Sequence, residues 1–557
     1  MYDDAMTNTD RRAAATILAW AVALTAALGF AALAIAERYD ARQSYAFDPA
    51  SYQYVNAELA VRTAATGRLD TAATEWFHSR LWTPLRTVPL VLFAPDLLTQ
   101  PRGHLATALP TITVFLSVLG WCLFRRHNLF EALAGMTLFC ACGKMLSPII
   151  GISSYWLDLP AALLVGAALL CLTRWHDSGR GLWLTAFAVL VSAATLCRFV
   201  AAGYALVMGG PLLLVYLLRR RRDGATLGTA FGQPLLLLAL LIGVLCGPFL
   251  VLHGREVLGY YDTYGYDLGS GAANALVMNL ETLWRFGGRP FFAFLTLLAV
   301  FRFASLKPRK ARWAEPLLLA WPAMGHLLFL GLVLEVRHLQ ASVFALPPIF
   351  FLAVSPWPGS QNSRRFYPWL ATGVLAVALA LTSLNAMRYW RGVDGPVATI
   401  KEHEQAVANT LAAQGEILWN AYVDGYAASN IQIIALETFY GHGVLPQESI
   451  PSRFYAHENA WQRAADGREP ERFCLDLKER LDRYADAVLV YDDPNAAANV
   501  STPTGAVIAA CMADRVADDP RWQRLESFAP GWALYGNTSA LDTSRYRRVL
   551  LGEPLIR

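Results

Sequence analysis

The feature that most limits what this chain can fold into is a series of eleven long apolar runs. They lie near 14–36, 104–124, 128–150, 156–173, 181–200, 202–218, 232–253, 290–304, 314–334, 338–355 and 367–386. A helix needs about 20 mostly apolar residues to cross the hydrocarbon core of a bilayer. A soluble fold would have to bury each such helix all round, so the runs predict a polytopic all-α membrane domain of about eleven helices. Of the 557 residues 16% are charged, against roughly 25% in an average soluble domain. The 55% of hydrophobic and 12% of aromatic residues exclude a disordered or fibrous chain.

Charge is divided along the chain. From Arg388 onward there are 23 acidic and 17 basic residues, leaving 20 acids and 30 bases before it. The division predicts two differently solvated parts: a basic membrane domain, 1–386, and an acidic soluble domain, 387–557. Basic residues also orient the spans. Arg11 and Arg12, Arg125 and Arg126, Arg174 and Arg180, and Arg219 to Arg222 fall in the N-terminus and in alternate connections between the runs. So do Lys307, Arg309, Lys310 and Arg312, and then Arg364 and Arg365. With eleven spans all of these fall on one side, which the positive-inside rule makes cytoplasmic. The segment 37–103, the loop 254–289 and the tail then lie outside. Ala34-Ile35-Ala36 looks like a signal-peptidase site, but the apolar stretch before it is too long for a typical leader; an uncleaved first helix is expected.

The segment 37–103 is too long for a plain connector. It holds a helix-like stretch from Ala50 to Thr66, then Trp76, Phe77, Trp82 and Phe93, aromatics suited to a helix lying at the interface. In the tail, Glu416 to Val423 and Ala485 to Asp493 read as strands, and "WQRLESFAPGWALYG" as two strands joined by a Pro-Gly turn. Strands alternating with helical stretches predict a small C-terminal α/β domain. Six cysteines (Cys122, Cys140, Cys142, Cys171, Cys197, Cys246) fall in spans and read as packing residues. Cys474 and Cys511 fall in the tail, where an oxidising compartment permits a bridge.

Ionisable residues at membrane depth are costly, which makes them functional candidates. Asp48 follows the first span and precedes Pro49, a pattern that also suits a helix N-cap. Asp158, near the outer end of the fourth span, precedes Pro160 and can equally be a cap. Arg198 falls between two tightly spaced spans, as a snorkelling arginine or as a fixed cation for a phosphate. Glu335, Arg337 and His338 stand together at an outer mouth where positive charge is disfavoured. Arg337 there either pairs with Glu335 or binds an anion, and an outer-leaflet lipid phosphate lies at this depth. His338 can hydrogen-bond a sugar or phosphate, or simply pack.

In order and sidedness these motifs resemble a family. An acid after the first span in the setting Asp48-Pro49-x-x-Tyr52 is the first element, and Tyr155-x-x-Asp158-x-Pro160 is the second. A basic residue between the fifth and sixth spans and Glu335-x-Arg337-His338 complete the set. The pattern is similar to that of the GT-C superfamily of polyprenyl-phosphate-sugar-dependent glycosyltransferases, of the protein O-mannosyltransferase and lipid A aminoarabinose transferase type. The resemblance covers 1–386, and an outer soluble domain after an apolar core is also similar to that superfamily. It implies that Asp48 is the general base and that Asp158 assists it or orients the acceptor. It implies further that Arg198, Arg337 and His338 face the donor phosphate, and that Tyr52 and Glu335 contact donor or acceptor. Two departures stand out: Arg-His replaces the commoner Arg-Tyr, and a lone Asp48 replaces paired acids. A single carboxylate is a poor cage for a divalent ion, so neither a metal nor another cofactor is expected.

The function implied is an inverting transfer of a sugar from a polyprenyl-phosphate donor to a lipid, polysaccharide or protein acceptor. It takes place on the periplasmic face of a bacterial inner membrane and involves no nucleic acid. The alternatives are a flippase or transporter of lipid-linked glycans, which commonly shows paired repeats, and an O-antigen ligase or polymerase. No internal repeat is visible, and the large outer loop comes early rather than late. Alkaline phosphatase, which is active only outside the cytoplasm, should be active when fused after Arg557 and inactive when inserted at Arg222. The opposite pattern overturns the orientation.

Overall fold

The structure is a computed structural model and describes residues 7–38, 53, 57, 60, 92–126, 128–147, 151–152, 158–263, 293, 367–391, 421–422, 440–441, 444–446, 487–491, 519–528, 532–537 and 548–550. The chain divides into two compact units. One comprises Met1–Arg38, Leu81–Arg86 and Leu105–Gly395; the other comprises Tyr39–Arg80, Thr87–His104 and Pro396–Arg557.

The first unit is helical. Its described helices are α1 (Asn8–Arg38), α3 (Leu109–Arg126), α4 (Leu129–Cys140), α5 (Asp158–Ser178), α6 (Gly181–Cys197), α7 (Val200–Arg222), α8 (Gln233–Thr263) and α9 (Tyr367–Trp390), with α2 (Asp96–Thr99) in the second unit. Among the described residues five helices are long and apolar enough to cross a membrane: Asn8–Arg38, Gly103–Arg125, Leu159–Ser178, Ala201–Arg222 and Gly228–Val251. Phe30, Leu182, Leu206, Val244 and Val251 are each more than two-thirds exposed. Apolar residues of that size on helix flanks suit contact with lipid chains rather than water. The first unit is a polytopic membrane fold. The expected spans 290–304, 314–334 and 338–355 lie outside the described residues, apart from Ala293.

Two of the expected spans are shorter than the sequence suggests. The run 128–150 forms the 12-residue α4, followed by a 3-10 turn at Gly143–Leu146. At 1.5 Å per residue that helix reaches about 18 Å, less than the roughly 30 Å hydrocarbon core. It begins on a side-chain cap: the Asn128 side chain accepts from the Glu131 amide at 2.9 Å and donates to the Glu131 carboxylate at 2.9 Å. At its far end the Asn385 amide of α9 donates to the Ala141 carbonyl at 2.8 Å, occupying a group that the helix end leaves without an intrahelical donor. The run 181–200 likewise stops at Cys197, and α7 starts at Val200.

Helix ends carry the charges. Asp10, in the first turn of α1, pairs with Arg125 near the end of α3 at 3.0 Å. Thr7 and Asp10 cap α1 reciprocally, each side chain accepting from the other's amide at 3.1 and 3.4 Å. At the ends of α5 and α7, His176 stacks on Tyr216 with ring centroids 4.0 Å apart, and Arg220 lies over Trp175 at 5.2 Å. Arg219 Nη1 lies 3.2 Å from His176 Nε2. A guanidinium only donates, so Nε2 accepts and the imidazole proton sits on Nδ1. At the opposite end Arg38 of α1 lies over Trp390 of α9, 5.7 Å from the ring centre. The arginines at the ends of α3, α5 and α7 thus share their helix ends with Asp10, His176 and aromatic rings.

Between the ends, small residues let helices approach. A Cβ on Gly120 of α3 would meet the Met136 side chain of α4 and stand 2.7 Å from Ile17 Cγ2 of α1. Trp20 Nε1 donates to Thr137 Oγ1 at 3.1 Å, and Thr113 Oγ1 to Thr25 Oγ1 at 3.1 Å. The six described cysteines are all buried free thiols, and two of them reach carbonyls of neighbouring helices: Cys122 to Leu170 and Cys246 to Ser192.

The second unit carries the strands. A four-stranded sheet runs β1 (Ala421–Tyr422), β3 (Ala487–Tyr491), β5 (Trp532–Asn537), β4 (Trp522–Phe528), with β1 parallel to β3 and the other pairs antiparallel. β2 (Val444–Pro446) pairs antiparallel with β6 (Arg548–Leu550). The two strands expected around Pro530-Gly531 are β4 and β5, paired from Phe528↔Trp532 to Trp522↔Asn537 with a bulge between Arg524 and Glu526. Gly120→Leu should lower thermal stability by about 1–3 kcal/mol through overpacking against Met136 and Ile17. Melting of the purified protein in detergent measures it, and an unchanged melting temperature contradicts the close approach.

Candidate functional site

Asp158 is the first residue of α5, and Leu159 and Pro160 behind it are buried. Proline in the first turn costs no hydrogen bond, because the first four helical amides have no partner within the helix. The sequence Leu157-Asp158-Leu159-Pro160 therefore starts a helix where it stands. α5 runs 21 residues to Ser178, the chain reverses at Gly179 with φ +68°, and α6 returns over 17 residues to Cys197. Gly179 adopts a left-handed conformation that a residue with Cβ resists. The two helices form an antiparallel hairpin of about 25–30 Å. Asp158 and Arg198 consequently stand at the same end of it, away from Arg174, Arg180 and the arginines of α7.

Arg198 sits in a two-residue corner. Its amide donates to the Ala194 carbonyl at 2.8 Å, closing α6, and its own carbonyl accepts from the Ala201 amide at 2.9 Å as α7 begins. Its backbone is extended, with φ −162° and ψ 121°. Phe199 beside it is buried and stacks on Phe249 of α8 with centroids 5.3 Å apart. Arg198 itself is half-buried. The corner thus combines a rigid backbone, clamped from both sides by helix hydrogen bonds, with a cation only partly withdrawn from solvent. The hydrogen bonds fix the place of the Arg198 backbone at the end of the hairpin, and a guanidinium is the side chain whose planar fork of donors matches a phosphate.

Asp48, Tyr52, Glu335, Arg337 and His338 lie outside the described residues, as do Cys474 and Cys511. Of the expected site, then, Asp158 and Arg198 are placed, at one end of one hairpin. Among the described residues no three His, Cys, Asp or Glu side chains gather closely enough to hold a metal ion.

The second unit holds a polar cluster that the sequence does not announce. Gln53, His104 and Tyr440 are 0%, 2% and 9% exposed. The Gln53 amide donates to Tyr440 Oη at 3.1 Å and lies 3.1 Å from His104 Nδ1. Tyr440 Oη in turn donates to the Leu98 carbonyl at 3.0 Å. An amide nitrogen cannot accept, so His104 Nδ1 is the acceptor and its ring proton lies on Nε2. Both amide hydrogens of Gln53 are used, and the Tyr440 hydroxyl both accepts and donates. Gln53, Ala57 and Ala60 are helical and buried, at the i, i+4, i+7 spacing of one helix face. A glutamine on the apolar face of the expected 50–66 helix was the available signal, and it means little until its partners, 51 and 387 residues away, are seen.

No protein-family model matches the chain, and no curated protein matches it. Among solved structures the chain is similar to ArnT from Cupriavidus metallidurans bound to undecaprenyl phosphate, with a TM-score of 0.56 at 14% identity. The alignment covers 93% of this chain and 98% of that one. The apo state of the same protein gives the same values. AglB of Archaeoglobus fulgidus, an oligosaccharyltransferase in complex with an inhibitory peptide and a dolichol-phosphate, aligns at a TM-score of only 0.42 over 84% of this chain. The likeness to ArnT, a lipid A aminoarabinose transferase, is one of fold, extends over 93% of this chain, and agrees with the GT-C resemblance read from the motifs.

Proposed function

We propose that this chain is an integral-membrane, inverting glycosyltransferase that moves a sugar from a polyprenyl-phosphate donor to an acceptor hydroxyl on the periplasmic face of the inner membrane. The observation that carries the proposal is the fold likeness, over 93% of this chain, to a protein crystallised with undecaprenyl phosphate. The order of acids and cations along the sequence supports it. The proposal includes eleven spans with a cytoplasmic N-terminus, and a periplasmic α/β domain over 387–557.

In the reaction the acceptor oxygen attacks the anomeric carbon. The new C–O bond forms as the bond to the phosphate oxygen breaks, and the electron pair leaves with the polyprenyl phosphate. Asp48 takes the acceptor proton. Asp158 orients the acceptor or assists Asp48, with Tyr52 and Glu335 contacting the sugars. Negative charge grows on the departing phosphate, and Arg198 and Arg337, with His338 as a neutral donor, are the groups that meet it. Fixed cations in a site of low dielectric stabilise such charge more than water does. Arg198 is carried at a corner whose backbone is closed by helix hydrogen bonds on both sides.

Mass-spectrometric glycan analysis of cells with and without the gene should reveal one missing sugar. Asp48→Asn, expressed at the normal level, should lower its restoration by about 10²–10⁴-fold, the usual worth of a general base. Near-normal restoration refutes the assignment. Arg337→Ala and Arg198→Ala should each weaken binding of undecaprenyl phosphate to the purified protein, and unchanged binding returns them to structural roles. A purified protein that moves a lipid-linked glycan between leaflets and transfers no sugar overturns the proposal in favour of transport.

A further inference from the structure

Resting on that function, we propose that Tyr440, Gln53 and His104 are positioning residues: through them the C-terminal tail locks the first outer segment in the conformation that transfer requires. Gln53 follows the proposed base Asp48 by five residues, and Tyr440 belongs to the tail. The lock consists of the Gln53 amide shared between Tyr440 Oη and His104 Nδ1, closed by the Tyr440 bond to the Leu98 carbonyl.

Three properties separate this cluster from ordinary packing. It ties together positions 53, 98, 104 and 440, so it is long-range in sequence and cannot serve merely to start a local turn. It is polar where the surrounding helix face is Ala57 and Ala60. Apolar side chains would hold the same surfaces together without the desolvation cost, whereas hydrogen bonds between buried groups select one register and one rotation. Each member is also used in a directional way. The tautomer of His104, the amide orientation of Gln53 and the hydroxyl direction of Tyr440 determine one another, so the helix face bearing Gln53 has one rotation relative to the 98–104 segment. The chain entering that helix carries Pro49, whose ring fixes φ. Asp48 precedes Gln53 by only five residues in sequence, so a rotation set at Gln53 would act on the proposed base through a short stretch that includes this proline. Misplacement of a catalytic group by about 1 Å can cost on the order of 10²-fold in rate.

The test uses the full-length protein in a deletion strain and the same protein purified in nanodiscs. Tyr440→Phe removes one hydroxyl and leaves the ring. His104→Leu removes the acceptor, and His104→Asn returns an acceptor oxygen near the place of Nδ1. Tyr440→Phe and His104→Leu should each lower sugar transfer by about tenfold or more while the Kd for undecaprenyl phosphate stays within about twofold, and His104→Asn should recover most of the loss. Loss of transfer without loss of lipid binding, with rescue by the acceptor-bearing variant, is a pattern that general destabilisation does not produce. Normal transfer in Tyr440→Phe overturns the inference. So does a loss of lipid binding in step with transfer, or a His104→Asn no better than His104→Leu. Should Tyr440→Phe fail to accumulate, the His104 pair decides alone. Asp48→Asn, measured in parallel, separates the two levels: if it transfers normally the function itself is wrong, and if it is inactive while the lock variants are normal only the lock is wrong.

Discussion

Everything in the first unit follows from what hydrocarbon does to a peptide group. No water is available there, so each amide and carbonyl must find its partner within the chain, and helices are the form in which a single segment achieves this. The places where helices stop are then the exceptional ones. At Ala141 the carbonyl released by the end of α4 is taken by Asn385 from another helix. At Arg198 and Phe199 the break is only two residues long and is bridged by the Ala194 and Ala201 hydrogen bonds. Chemistry that needs charge at membrane depth is confined to such interruptions, since they are where polar groups are already satisfied and side chains can point along the membrane normal. Asp158 and Arg198 both stand at such helix ends, the start of α5 and the corner between α6 and α7.

The same constraint explains the distribution of basic residues. The arginines at one end of α3, α5 and α7 are not a bare belt: Asp10, His176 and Trp175 take up Arg125, Arg219 and Arg220, and Tyr216 stacks on His176. Cation–aromatic and arginine–imidazole contacts are worth modest energies at an exposed edge, but they hold long side chains against the helix ends. At the other end of the same bundle Arg38 lies over Trp390, and Asp158 and Arg198, of opposite sign, open and close the α5–α6 hairpin.

How much of this was legible in the sequence depends on the distance over which each feature is encoded. Apolar runs and basic loops are local, so the helical membrane part was readable, and so was the β4–β5 hairpin around Pro530-Gly531. The shortness of α4 was not, because the run 128–150 is mostly apolar and the donor that meets the Ala141 carbonyl at its end, Asn385, lies 244 residues away. Asp158 and Arg198 were readable as ionisable residues in apolar surroundings. Their common side was legible as well, from the alternation of spans and basic connections, and the turn at Gly179 sets both at one end of a hairpin. Gln53, His104 and Tyr440 were invisible as a set. Each is an ordinary polar residue in its own stretch, and Tyr440 alone reads as a core aromatic; only the fold makes them neighbours.

That last case bears on how such a protein is divided. Composition draws a line near residue 387, between an apolar basic part and an acidic soluble one. The compact units are drawn differently: the segments 39–80 and 87–104 group with the chain after 395. The difference is physical. Composition reports which solvent a segment meets, whereas a compact unit reports which segments satisfy one another's hydrogen bonds and apolar faces. Gln53 and Tyr440 have no way to be buried alone, since each carries donors and acceptors whose desolvation must be repaid. Pairing them joins an early outer segment to a late one irrespective of their distance in sequence. The early segment, which carries the proposed base Asp48, is thereby held in one compact unit with the late one through the Gln53–Tyr440 hydrogen bond.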